Sequence, residues 1–131
     1  MNEIIPNLYI TGRLVARNLP EDEYRVLLLS LMPLNREHVR VAIDDAVPWP
    51  CETVRFAADT ISGWLAKGER VCVACDAGIS RSAGAITAYL VSKEGMGIDE
   101  AMELIKSRHP IANPHPLIVE SIIKCSSQKK N

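Results

Sequence analysis

Hydrophobic positions along the chain fall into short runs and helical stripes that alternate. Residues 26–31 are almost continuously apolar over strand length, the pattern of a strand buried on both faces. Residues 8–11 make a short β-prone run before Gly12, and residues 39–43 alternate in the strand manner up to Asp44 and Asp45, after which Pro48 and Pro50 enforce a loop. Over residues 52–67 the apolar positions Val54, Ala57, Ala58, Ile61 and Leu65 recur at helical spacing, and Gly68 supplies the stop. Residues 70–74 then read as a strand, residues 81–94 as a long apolar helix closed by Gly95, and residues 99–107 as a helix with Ala101, Leu104 and Ile105 inward. Pro110, Pro114 and Pro116 break the chain before a last helix over residues 117–124. This order predicts an α/β fold with a central, mainly parallel sheet of four to five strands flanked by helices. One domain is expected over residues 1–125, followed by a polar, frayed tail over residues 126–131.

Composition narrows the function without naming it. The 131 residues, 47% of them hydrophobic, suffice for a single core. A net charge of -1 gives no general pull toward nucleic acid or an anionic membrane, so an anion site must be local. Met1 to Ile5 has no basic stretch leading into a long apolar one, and no run is long enough to span a bilayer, which together set the expectation of a cytoplasmic protein. The four cysteines, Cys51, Cys72, Cys75 and Cys125, match neither a dense secreted scaffold nor a zinc site. Cys72 and Cys75 read C-V-A-C, a spacing also used by redox dithiols, but Cys72 lies inside the apolar strand. His38 and His109 have no partners at ligand spacing and read as surface residues, and Trp49 either lines the loop beyond Asp45 or covers the core.

The chemistry concentrates in residues 75–82, C-D-A-G-I-S-R-S, at the carboxyl end of a predicted strand and the start of a helix, where open α/β sheets place their ligands. The backbone N–H groups of Asp76, Ala77, Gly78, Ile79, Ser80 and Arg81 are expected to form a nest for a phosphate-sized anion, with Gly78 allowing the turn and the helix terminus adding partial positive charge. That field favours the thiolate of Cys75, which is the competent nucleophile. Arg81 offers a permanently charged planar fork for two phosphate oxygens. Ser82 can donate to the sulfur and help it leave.

With these residues in place, the sequence resembles the dual-specificity subclass of cysteine-based protein phosphatases, within the tyrosine phosphatase superfamily, whose signature is cysteine, five residues, arginine, then serine or threonine. Residues 5–12, I-P-N-L-Y-I-T-G, look like that family's opening strand, residues 88–91 like its helix after the loop, and residues 101–110 like its E-A-x-x-x-x-K-x-R-x-P segment. The resemblance implies hydrolysis of phosphotyrosine, and also of phosphoserine and phosphothreonine, through a phosphocysteine intermediate, without metal or cofactor. The implied partner is a phosphorylated protein or peptide, acted on by a monomer. It also implies an upstream aspartate as general acid and then base; Asp45 fits best by its distance from Ile43, with Asp44 the alternative. Two departures oppose ionisation of the sulfur: Ala74 stands where relatives carry histidine, and Asp76 puts a carboxylate next to Cys75. His115 replaces the asparagine that braces the loop in relatives. A non-catalytic phosphopeptide reader is therefore the second hypothesis, and a thiol oxidoreductase the third.

Overall fold

Five strands order as β1-β2-β5-β3-β4 in a computed structural model that describes residues 1–128. They are β1 (Asn2–Ile5), β2 (Leu8–Gly12), β3 (Tyr24–Leu29), β4 (Val39–Val41) and β5 (Arg70–Cys75). Only β1 runs antiparallel, to β2; the pairs β2/β5, β5/β3 and β3/β4 are parallel. The sequence pattern missed β1, although Pro6-Asn7 between two β-prone runs is a turn signal and Asn7 takes φ 69°. The helices are α1 (Arg13–Ala16), α2 (Cys51–Ala66), α3 (Arg81–Lys93), α4 (Ile98–Arg108) and α5 (Pro116–Gln128). Pro116, expected as a breaker, is the first residue of α5, where a missing N–H costs no helical bond. The helix continues past Lys124 through Ser126 to Gln128, so the expected frayed tail is helical up to there, and its remainder, residues 129–131, lies outside the described residues.

The two-residue period of the strands divides the core. Leu27 and Leu29 of β3 with Val71 and Val73 of β5 face the helices α2 to α5, while Val26, Leu28, Cys72 and Ala74 face the thinner layer that holds Ala16 of α1 and Leu34. β5 is central, and the helix that follows it is central too: ten successive residues of α3, from Arg81 to Leu90, are buried. A helix apolar on every side must be packed on every side. Gly84 lets it do so, because a Cβ there would stand 2.6 Å from Ile118 Cγ2 of α5 and 3.3 Å from the Trp49 ring. Trp49 is thus a core residue, with its amide bonded to Ser121 Oγ at 2.8 Å. No helix among the described residues is long and apolar enough to cross a membrane.

Candidate active site

The loop between β5 and α3, residues 76–80, sits at the carboxyl end of the central strand. Gly78 has φ 73°, and a Cβ on it would approach Gly12 N and Thr11 C to 2.8 Å, so both the turn and the contact with β2 require glycine here. The loop is tied back through its carbonyls. Asp76 O accepts from the amide of Arg13 (3.3 Å), Ile79 O from that of Asn113 (2.8 Å), Ser80 O from that of Gly84 (2.9 Å), and Gly78 O from His109 Nε2 (2.8 Å). The amides of residues 77–80, by contrast, donate to no described residue, and no side chain caps the start of α3. Outward-tied carbonyls and free amides at a helix N-terminus make a cup that attracts an anion.

At this cup Cys75 is 2% exposed, and its Sγ lies 3.1 Å from Ser82 Oγ in the first turn of α3. Arg81 is buried as well; Nη1 donates to Ile43 O at 2.9 Å and Nη2 to Asp76 Oδ2 at 3.1 Å. The segment after β4 is tied to Arg81 through Ile43. Ser80 Oγ donates to Asp45 Oδ1 at 2.8 Å and accepts from the His115 amide at 3.0 Å, so one hydroxyl joins the phosphate loop, the aspartate segment and the proline-rich turn. Asp44 is turned elsewhere, its carboxylate accepting from the amide of Asp45 at 2.8 Å. Of the two aspartates, only Asp45 is bonded to the loop.

Asp76 does not act as the sequence suggested. Its carboxylate is directed to Ser30 Oγ (2.6 Å), Arg13 Nη1 (3.0 Å) and Arg81 Nη2 (3.1 Å), so two guanidiniums offset its charge instead of leaving it against the sulfur. The bond from Ser30 foremost, with those from Arg13 and Arg81, holds its carboxyl below the ordinary 3.8 against the opposing effect of partial burial.

Several supporting residues were not legible in advance. His109 is buried rather than exposed: Nε2–H donates to Gly78 O while Nδ1 accepts from Asn2 Nδ2 at 2.6 Å, a tethering of the loop to β1 that only the fold creates. The side chain of His115 does not brace the loop; Nδ1 accepts from the Leu117 amide at the start of α5, and the brace passes to the backbone of His115 and Asn113. His38 is half-buried, with its ring bonded inside its own loop to Arg36 O and the Leu34 amide. Strand alternation separates Cys72 from Cys75: Cys72 lies in the thin layer against Met1 Sδ, and burial pushes its thiol up to about 12, which removes the redox dithiol. Cys51 and Cys125, 74 residues apart, form a disulfide that their separation in sequence gave no means of pairing.

Comparison with known proteins agrees with this architecture. Residues 29–128 match the family model "Dual specificity phosphatase, catalytic domain". The rat Dual specificity protein phosphatase 15 is 28% identical over 130 residues, covering 88% of this chain and 53% of that protein. Its human counterpart is 47% identical over 122 residues, covering 86% and 41%. The chain thus spans about half the length of these two relatives. Among solved structures, human DUSP28 superposes with TM-score 0.88 over all of both chains at 21% identity. The human tyrosine phosphatase-like serine/threonine/tyrosine-interacting protein gives 0.87 over 100% of this chain and 98% of that one at 22%. At those identities the likeness concerns the fold alone. A sheet with its phosphate-loop motif at the central strand, and a family match over most of the sequence, lead to one statement: the chain belongs to the dual specificity phosphatase family.

Proposed function

We propose that this chain hydrolyses phosphotyrosine, and also phosphoserine and phosphothreonine, in proteins or peptides, working as a cytoplasmic monomer. The observation that carries the reading is the convergence on one cup of Cys75 Sγ, 3.1 Å from Ser82 Oγ, the buried Arg81, and Asp45 bonded through Ser80. In the first step the sulfur of Cys75 attacks phosphorus as the bond to the leaving oxygen breaks, and Asp45 in its acid form gives that oxygen a proton. The equatorial oxygens rest on the loop amides and Arg81, which meet charge as it spreads. In the second step water attacks the phosphocysteine, Asp45 takes its proton, the S–P bond breaks, and Ser82 Oγ–H receives the departing thiolate.

The loop has no lysine, which favours a singly phosphorylated side chain over a polyphosphorylated head group. Hydrolysis of a small aryl phosphate between pH 5 and 8 tests the proposal. Cys75→Ser is expected to abolish turnover while phosphate is still bound; wild-type protein that binds phosphate without turning over aryl phosphate overturns the reading in favour of a phosphopeptide reader.

A further inference from the structure

The two side-chain oxygens of Asp76 serve different partners. Oδ1 accepts from Ser30 Oγ and Arg13 Nη1, Oδ2 from Arg81 Nη2. The first side of this arrangement is rigidly held. Ser30, just beyond β3, is fully buried, and its hydroxyl also accepts from the Met32 amide (3.1 Å). Arg13 opens α1, and its Nη1 reaches Ser30 Oγ and Met32 O, both at 3.1 Å, while Nη2 reaches Pro33 O at 2.8 Å. The Asp76 carboxylate is thereby anchored to β3 and α1 and presents its remaining oxygen to Arg81. On the other side Arg81 Nη1 is fixed by Ile43 O. Two of the five N–H groups of a guanidinium are then committed to the protein and three are left for a ligand.

An arginine that must be ordered when its ligand arrives spends side-chain entropy on binding; one already held in place does not. We infer that Asp76, anchored by Arg13 and Ser30, is a positioning residue that presets the Arg81 fork toward the amide-lined cup. The same carboxylate that would weaken the nucleophile if it faced the sulfur is placed where it orders the clamp instead. The inference rests on the proposed function only in taking the oxyanion to be a substrate phosphate, and it stands or falls on anion binding.

The opposite role, a carboxylate that competes with phosphate for Arg81, makes the opposite forecast, and inorganic tungstate titrated calorimetrically into the full chain separates them. Asp76→Ala is expected to weaken tungstate binding by about tenfold and to lower kcat/KM for an aryl phosphate comparably, the scale of one charged hydrogen bond. Asp76→Asn, which keeps the shape and part of the bonding, should restore some of the affinity. Arg13→Gln should act in the same direction, and combining it with Asp76→Ala should add nearly nothing, because both act through one contact. Tungstate binding that tightens or stays unchanged in folded Asp76→Ala and Asp76→Asn overturns the inference, as do losses that simply add in the double variant. A wild-type protein without turnover whose tungstate affinity still falls on Asp76→Ala overturns the enzyme reading and leaves the positioning role standing.

Discussion

At the scale of single residues, Asp44 and Asp45 are the same side chain at adjacent positions; spacing from Ile43 favours Asp45, and their bonding separates them further. Asp45 is tied to Ser80 of the phosphate loop, whereas Asp44 closes a turn on its neighbour's amide. Asp45→Ala should therefore cost about 10²–10³ in kcat on an alkyl phosphate, whose poor leaving group needs the proton, and much less on an activated aryl ester; Asp44→Ala should stay within severalfold on both. Steady-state kinetics with the two ester classes reads this, and the reverse ranking would move the acid to Asp44. Asp76 gives a second forecast. Its carboxyl is depressed in the folded chain, so its stabilisation is complete above the unfolded value near 4 and is lost as pH falls through the folded one. The gap in thermal midpoint between wild type and Asp76→Asn should be widest at about pH 5 and above and close below about pH 4. It should be modest, because half of that side chain is solvent-exposed.

At the scale of elements, α3 carries both the proposed site residues Arg81 and Ser82 and much of the packing. Its small residues Ser82, Ala83, Gly84, Ala85 and Ala88 admit neighbours on all sides, and Gly84 is where α5 and Trp49 come closest. Alanine outranks glycine as a helix former by about 1 kcal/mol, yet a Cβ 2.6 Å from Ile118 Cγ2 imposes overpacking worth about 1–3 kcal/mol. Gly84→Ala is thus expected to lose net stability in urea unfolding, and Ile118→Ala, which removes Cγ2, to cost less in the Gly84→Ala background than in the wild type. The periodicity of this helix was plain in the sequence, since a stripe without a polar face has one solution. The bracing of the loop was not. His109 is separated from Gly78 by 31 residues and from Asn2 by 107, and no local pattern marks a histidine that fold alone carries into a buried bond.

For the molecule as a whole, what could be read was what depends on neighbours along the chain: the alternation of strands and helices, the stop signals after α2 and α3, and the loop in which Cys75, Gly78 and Arg81 are bound by short spacing. What could not be read depends on contacts across the sheet, among them β1, the Arg13–Asp76–Arg81 array and the disulfide. The disulfide joins the first residue of α2 to α5 with Cα atoms 5.3 Å apart, and the loop it closes contains β5, the phosphate loop, α3 and α4. Closing a loop of this length restricts the unfolded chain by about 4 kcal/mol in the chain-entropy account. In a chain of this size that corresponds to a thermal midpoint roughly 15 °C higher. A reducing cytoplasm would open such a pair, so its state is set by surroundings rather than by the fold. Adding dithiothreitol should lower the midpoint by that order while leaving kcat below the transition unchanged, since Cys51 and Cys125 take no part in the cup. Cys51→Ala should unfold at the reduced midpoint with or without reductant. Identical midpoints for wild type in both conditions would show that the closed loop contributes nothing, and a fall in kcat at full folding would show that α2 and α5 reach the active site.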